Sequence, residues 1–161
     1  MSSQKKESIE KNLFRLLNTK KRTLSFAESC TGGLVSNRFT DIPGSSKYFL
    51  GSIVSYSNSA KISLLNVPKE TIRKYGAVSR QTCLAMAKGV KDIFCSDIAA
   101  AVTGVAGPGG GTAKKPVGLA YVAVVSNRKK ICKKLFFKGS RKIIQNKSAD
   151  AVLKMVSRLA G

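Results

Sequence analysis

The sequence predicts an α/β layered domain on a mixed five-stranded sheet, and two features of its pattern lead to this fold class. Five apolar, β-prone segments are interleaved with segments whose apolar residues recur at helical spacing. The last two β-prone segments flank Ser126-Asn127 as in a hairpin, so at least one strand must be antiparallel. No internal repeat or linker is visible, which predicts a single domain over residues 1–161.

In the first half of the chain the predicted elements alternate regularly. Residues 8–19 have the spacing of an amphipathic helix, and 23–27 form a short strand that runs into a Gly-rich turn. After these glycines we expect a helix over 34–40, a turn at Ile42-Pro43-Gly44, a strand over 48–56 and a helix over 58–65. Pro68 opens a further helix at its first turn, where its missing N–H costs nothing.

The second half begins with Ser79, a good N-cap for a helix that runs to residue 94. A continuous small-apolar strand follows over 97–103 and ends in a Gly-rich loop over 104–112. Strands over 116–125 and 130–137 then form the hairpin. Ser140 caps a last helix, in which apolar residues recur at helical intervals as far as Leu159.

The composition excludes several kinds of chemistry. There is no histidine, so Ser-His-Asp and Cys-His catalysis are ruled out. The four cysteines lie far apart, which predicts free thiols and no metal site. With only eight carboxylates, paired-carboxylate catalysis is poorly supported. An enzyme built from this sequence would take its general base from lysine or tyrosine.

The net charge of +21 predicts attraction to anions such as nucleotides, nucleic acid or acidic lipid. A lysine-rich solvated surface with no partner explains the charge equally well, because the lysines form no single block. No apolar stretch approaches the roughly 20 residues of a membrane-spanning helix. Because no apolar signal segment follows the N-terminus, we expect a cytoplasmic protein without membrane contact.

Three loops follow predicted strands, and ligands of open α/β sheets bind beyond the carboxyl ends of strands. They span residues 28–33, 56–61 and 103–111, and we expect them to converge on one site. The first loop places Ser29 at a strand-to-helix turn, where free N–H groups favour an anion or a developing oxyanion. A capped helix start explains this Ser-x-x-Gly-Gly pattern about as well.

Lys61 in the second loop is the candidate base for Ser29. A lysine in a first helical turn is usually only solvated, but a serine nucleophile needs a base and histidine is absent. A partly desolvated lysine can become neutral near pH 7. Tyr56, at the preceding strand end, is placed to hydrogen-bond either this pair or a substrate.

The third loop is dense in glycine, so its successive N–H groups can face a phosphate. No Gly-Lys-Ser/Thr follows it, as a Walker A motif requires, and its glycines do not match GxGxxG. A nucleoside-triphosphate or dinucleotide site is therefore not predicted.

Taken together, these segments resemble a known family, the C-terminal domain of the competence/damage-inducible CinA proteins and the stand-alone nicotinamide-nucleotide amidases. The resemblance covers nearly the whole chain in order and spacing. The matching segments are Ala27-Glu28-Ser29-Cys30-Thr31-Gly32-Gly33, Asp41-Ile42-Pro43-Gly44-Ser45-Ser46, Tyr56-Ser57-Asn58-Ser59-Ala60-Lys61, Tyr75-Gly76-Ala77-Val78-Ser79, Thr103-Gly104-Val105-Ala106-Gly107-Pro108, Lys115-Pro116-Val117-Gly118 and Gly139-Ser140-Arg141.

The resemblance implies a three-layer α/β/α sandwich that hydrolyses nicotinamide mononucleotide to nicotinate mononucleotide and ammonia. By position, Ser29 would attack the carboxamide and form an acyl-enzyme, assisted by Lys61 with Tyr56 beside them. The implied substrate-binding residues are Cys30, Thr31, Gly32 and Gly33 for the oxyanion, Thr103, Gly104 and Gly107 for the nucleotide, and Arg141 for the phosphate. No cofactor or metal is implied, and a homodimer or higher homo-oligomer is expected.

Two departures from the family pattern keep other functions open. Gln145 stands where relatives usually carry a second arginine, and relatives are expected to be much closer to neutral. One alternative is a catalytically idle relative that binds a nucleotide or, nonspecifically, nucleic acid. Another is an amidase for a different amide.

Overall fold

The computed structural model describes residues 7–161 and has the predicted α/β architecture, so residues 1–6 of the predicted domain lie outside the described part. Within that range the helices are α1 (Ile9–Lys20), α2 (Leu34–Thr40), α3 (Asn58–Leu65), α4 (Lys69–Tyr75), α5 (Arg80–Phe94) and α6 (Arg141–Ala160). The strands are β1 (Leu24–Glu28), β2 (Phe49–Val54), β3 (Ile98–Gly104), β4 (Leu119–Ser126) and β5 (Lys130–Phe136).

The five strands form one mixed sheet in the order β2-β1-β3-β4-β5. β1 is parallel to both β2 and β3, whereas β4 is antiparallel to β3 and to β5. The prediction of a mixed sheet is therefore confirmed. Because β1, β2 and β3 run in the same direction, their carboxyl ends and the loops that follow them lie at one edge of the sheet.

Helices cover both faces of the sheet, which makes the three-layer sandwich that the family resemblance implied. β3 is buried on both sides: Ile98, Ala100 and Val102 face the core shared with α1, α2 and α6. Ala99 and Ala101 face the second core, which contains residues of α5. The small alanines on this second face let α5 lie close to the sheet.

Serines begin four of the helices. The hydroxyls of Ser8, Ser57, Ser79 and Ser140 each accept a hydrogen bond from the backbone N–H three residues later. Each satisfies one of the N–H groups that a helix start leaves unpaired.

Within residues 7–161, no helix is both long and apolar enough to cross a membrane.

Several predicted boundaries shift by one to three residues. β2 ends at Val54 instead of residue 56, because the chain turns there so that Ser57 can cap α3. β4 begins at Leu119 instead of residue 116, because the Leu119 N–H closes a turn onto the Pro116 carbonyl. Pro68 is the N-cap of α4 and does not lie in its first turn.

Gly89 in α5 provides a test of the packing between α3 and α5. A Cβ at this position would lie 2.0 Å from the Leu65 carbonyl oxygen at the end of α3. Helix propensity alone favours alanine over glycine by about 1 kcal/mol. We expect Gly89→Ala instead to lose about 2 kcal/mol, a fall of roughly 4–8 °C in melting temperature, because backbone must shift.

Thermal unfolding followed by circular dichroism measures this change. Gly109→Ala is the matched control, because a Cβ at Gly109 meets nothing within 4 Å. A Gly89→Ala protein as stable as this control would contradict the close approach of the two helices.

Candidate active site

Ser29 lies in a tight turn between β1 and α2. Its N–H donates to the Val102 carbonyl oxygen at 3.1 Å, so the residue remains aligned with β3 beyond the end of β1. Gly32 and Gly33 follow with φ of 58° and 98°, the left-handed region that glycine enters at little cost. The two glycines therefore allow the chain to reverse into α2 directly after Ser29.

The carboxylate of Glu28 organises this turn, a role that the sequence analysis missed. Glu28 is completely buried at the end of β1, and its two oxygens accept five hydrogen bonds. The donors are Thr31 Oγ1 at 2.6 Å, Gly33 N at 3.1 Å, Val35 N at 3.0 Å, Ser36 N at 2.9 Å and Ser36 Oγ at 2.6 Å. One side chain thus ties the turn that carries Ser29 to the first residues of α2.

Lys61 reaches Ser29 from α3, as predicted. Its side chain is buried, with 1% of its surface exposed, and Nζ lies 3.0 Å from Ser29 Oγ. Nζ also lies 2.7 Å from the Ser55 carbonyl oxygen and 3.3 Å from that of Tyr56. Within residues 7–161 no carboxylate pairs with Lys61, so its partners are oxygens without a full charge.

The three oxygens around Lys61 suit both protonation states of its amine. A charged ammonium has three N–H donors, one for each oxygen. A neutral amine can donate its two N–H groups to the carbonyls of Ser55 and Tyr56. Its lone pair is then free to accept the hydroxyl proton of Ser29, which is the geometry of a general base.

Burial lowers the pKa of Lys61 below that of an ordinary lysine, because the charged form loses its solvation. A Cys30 thiolate would oppose this shift in the Lys61 pKa. Burial raises the pKa of Cys30 itself to about 11, however, so the thiol is neutral at physiological pH. Desolvation therefore dominates at Lys61, and the neutral Cys30 thiol is a poor competing nucleophile.

Only part of the predicted oxyanion site has free donors. The Gly32 N–H donates to the Ser29 carbonyl oxygen and the Gly33 N–H to Glu28, so both are already used. The N–H groups of Cys30 and Thr31 have no acceptor among the described residues. These two N–H groups, next to the nucleophile in sequence, are the remaining candidates to face an oxyanion.

Tyr56 contacts both Lys61, as the sequence analysis allowed, and Arg141. Its carbonyl oxygen faces Lys61, whereas its hydroxyl accepts a hydrogen bond from Arg141 Nη2 at 2.8 Å. Arg141 Nη1 also donates to the Gly107 carbonyl oxygen at 2.7 Å. The three predicted loops thus meet, and Arg141, the first residue of α6, bridges two of them.

Thr103 and Gly104 have roles here that require no ligand. Thr103 is buried, and its hydroxyl donates to the Ala77 carbonyl oxygen at 2.9 Å. A Cβ at Gly104 would lie 2.7 Å from the Leu119 carbonyl oxygen, so the neighbouring strand requires a glycine. Their place in a nucleotide pocket stays a prediction.

Gln145 also contacts the nucleophile turn. Its Nε2 donates to the Cys30 carbonyl oxygen at 3.0 Å, one helical turn after Arg141 on α6. Gln145 is therefore used in this chain to bind the backbone beside Ser29. Within the described part of the chain, no group of three Cys, Asp or Glu residues is arranged to hold a metal.

Sequence comparisons relate the chain to known proteins. The family described as "CinA C-terminal domain" matches residues 6–160. A "CinA-like protein" from Endomicrobium trichonymphae is 49% identical over 144 residues, which is 89% of this chain and 34% of the relative. Another, from Thermosipho melanesiensis, is 48% identical over 155 residues, or 95% and 38%. The chain thus spans little more than a third of the length of these relatives.

Solved structures have the same fold over nearly their whole length. The competence/damage inducible protein CihA from Agrobacterium tumefaciens superposes with a TM-score of 0.91 at 38% identity, covering 95% of this chain and 96% of that one. The competence damage-inducible protein A (ComA) from Klebsiella pneumoniae gives a TM-score of 0.90 at 29% identity, with 93% of each chain covered.

The role of Glu28 can be tested by replacing it with its neutral isostere. Glu28→Gln converts one acceptor oxygen into an NH₂ donor that faces N–H and O–H donors. We expect a loss of about 3 kcal/mol in the free energy of unfolding, because hydrogen bonds to a buried charge are lost. Urea denaturation measures this change.

Asp41→Asn is the matched control, since it removes the same charge from an exposed carboxylate. An equal effect of the two substitutions would mean that only net charge matters.

Proposed function

The chain belongs to the CinA C-terminal domain family, and within that family we propose that it is a serine amidohydrolase that deamidates nicotinamide mononucleotide. The observation that carries this proposal is the buried pair of Ser29 and Lys61, with 3.0 Å between Oγ and Nζ. A desolvated lysine beside a serine, in a chain without histidine, supplies a nucleophile and a base together.

In the first half of the reaction, neutral Lys61 accepts the hydroxyl proton of Ser29 while Oγ attacks the carboxamide carbon. The carbonyl oxygen becomes an oxyanion, for which the N–H groups of Cys30 and Thr31 are the candidate donors. The protonated lysine then gives its proton to the amide nitrogen, the C–N bond breaks, and ammonia leaves. An ester between Ser29 and the nicotinoyl group remains.

In the second half, water replaces ammonia. Lys61, neutral again, accepts a proton from the water as its oxygen attacks the ester carbonyl. The oxyanion faces the same N–H groups, and Ser29 leaves with the proton returned by Lys61. Nicotinate mononucleotide is released, and the net reaction consumes one water for each ammonia formed.

Arg141 is the candidate phosphate ligand. It is exposed at the start of α6, where the helix dipole adds to its positive charge. Its bonds to Tyr56 and Gly107 hold the guanidinium at the edge of the site. Because the Tyr56 carbonyl also contacts Lys61, one residue relates the phosphate end to the reacting end.

Three further expectations stay predictions: a homodimer or higher homo-oligomer, no cofactor, and a cytoplasmic location. A catalytically idle relative that only binds a nucleotide is the competing function. The close contact between Ser29 and Lys61 supports the enzyme over this alternative. An amidase for another amide differs from our proposal only in substrate.

Ammonia release from nicotinamide mononucleotide tests the proposal directly. We expect the wild type to release ammonia and Ser29→Ala to lose at least about a thousandfold in rate, because no acyl-enzyme can form. Nucleotide binding, measured by calorimetry, should persist in Ser29→Ala. Equal release by both proteins would eliminate the covalent mechanism, and binding without release by the wild type would favour the idle relative.

The pH profile tests Lys61 as the base. Because the neutral amine is the active form, kcat/KM should fall tenfold per pH unit as pH drops below the pKa of Lys61. That pKa is lowered by burial, so the midpoint should lie below the ordinary lysine value of 10.5. Lys61→Arg should be inactive throughout, because a guanidinium does not lose its proton.

Exposed Lys69 provides the control, and Lys69→Arg should keep the wild-type profile. A wild-type rate that stays flat from about pH 6 to 9 would count against Lys61 as the base.

A further inference from the structure

Five cationic side chains surround a groove at the edge of the sheet opposite to the candidate active site. The groove has a volume of about 430 Å³ and is formed by the ends of α1 and α6, the start of β1 and the β4–β5 turn. We call it the basic groove, defined by Lys20, Arg22, Arg128, Lys129 and Arg158.

The basic groove is separate from the site around Ser29. Arg22 precedes β1 and Ser29 follows it, so the strand lies between them. At about 3.3 Å per residue the two ends are roughly 20 Å apart. A ligand in the groove therefore leaves Ser29 and Lys61 accessible, and the two sites can be tested independently.

Among the described residues, none of the five cations of the basic groove forms an ion pair. Within residues 7–161 the ion pairs lie elsewhere, on Arg15, Arg38, Arg73 and Lys88. One carboxylate, that of Asp97, does line the groove. It accepts hydrogen bonds from Thr23 N at 2.8 Å and Thr23 Oγ1 at 2.9 Å, which engage one of its oxygens in joining β1 to β3.

Helix dipoles explain only part of this cluster. Lys20 and Arg158 lie in the last turns of α1 and α6, where a cation offsets the negative end of the helix dipole. Arg22, Arg128 and Lys129 lie in no helix. The β4–β5 turn is already held by Ser126 Oγ, which accepts from the N–H groups of Arg128 and Lys129. The turn therefore does not need their charged ends.

From these observations we infer that the basic groove binds the phosphate backbone of a nucleic acid. Several cations converging on one open groove fit a ligand with several regularly spaced negative charges, and the net charge of +21 steers such a polyanion to the protein. None of the large apolar side chains exposed in the described residues lines the groove. Among the described residues the lining has no aromatic side chain, and its one large apolar residue, Leu159, is packed against the core. Membrane insertion and base stacking are therefore disfavoured, and binding should be independent of sequence.

Fluorescence anisotropy with a labelled 20-base-pair DNA duplex, over a series of salt concentrations, tests this inference. The groove variant carries Arg128→Gln, Lys129→Gln and Arg158→Gln. The control carries Lys69→Gln, Lys114→Gln and Lys138→Gln, which removes the same charge from exposed residues outside the groove. The melting temperature of each variant is measured in parallel to show that both variants are folded.

We expect the wild type to bind the duplex with strong salt dependence. Each phosphate contact adds about −0.9 to the slope of log K against log salt. Three lost contacts should thus reduce the slope of the groove variant by about 2 to 3, and its affinity at 100 mM salt by roughly ten- to a hundredfold. The control should keep nearly the wild-type slope.

Several outcomes would overturn the inference. Equal weakening of both variants would mean that net charge, and not the groove, attracts the duplex. An unchanged groove variant, or no binding by the wild type at 50 mM salt, would exclude the site. If phosphatidylserine vesicles bind in a groove-dependent manner and the duplex does not, the surface recognises lipid instead. Ammonia release plays no part in these outcomes, so the inference can fail or hold independently of the proposed amidase.

Discussion

The buried carboxylate of Glu28 is the interaction on which the candidate site depends. A charge without solvent is very unfavourable unless it is fully hydrogen-bonded, and here five donors from the turn and from α2 surround it. The donors can meet the carboxylate only if the chain reverses directly after β1, through two glycines in left-handed conformation. The hydrogen bonds to this one buried carboxylate therefore determine where Ser29 lies.

The surroundings of Lys61 have the opposite effect on its charge, because they destabilise the charged form of this buried side chain. Glu28 has charge-stabilising donors, whereas the partners of Lys61 within residues 7–161 are a hydroxyl and two carbonyl oxygens, with no carboxylate. An ion pair would stabilise the ammonium and raise its pKa, which would remove the free lone pair. Desolvation without a counter-ion favours the neutral amine. The same sheet edge thus holds a structural charge that is stabilised and a reactive group whose charge is disfavoured.

The two edges of the sheet differ because of strand direction. The carboxyl ends of β1, β2 and β3 supply the loops around Ser29, and Arg141 links two of these loops. The opposite edge gathers the start of β1, the β4–β5 turn and the ends of two helices, where the basic groove lies. The length of the strands separates the basic groove from the candidate active site. The chain can therefore carry a strongly cationic groove without placing those cations next to Ser29 and Lys61.

Local sequence patterns determined the elements, their caps and the chemistry that was excluded. The spacing of apolar residues and the placement of capping serines depend on neighbours within a few residues. The absence of histidine is read directly from the sequence. Residue types and the absence of histidine made Lys61 a candidate base for Ser29, and the family resemblance implied the same pair. Tertiary structure alone decided that Glu28 caps α2, that the Tyr56 hydroxyl binds Arg141, and that Gln145 binds the Cys30 carbonyl. The last two contacts join residues 85 and 115 positions apart, so they depend on strand order and helix packing, which no local pattern encodes.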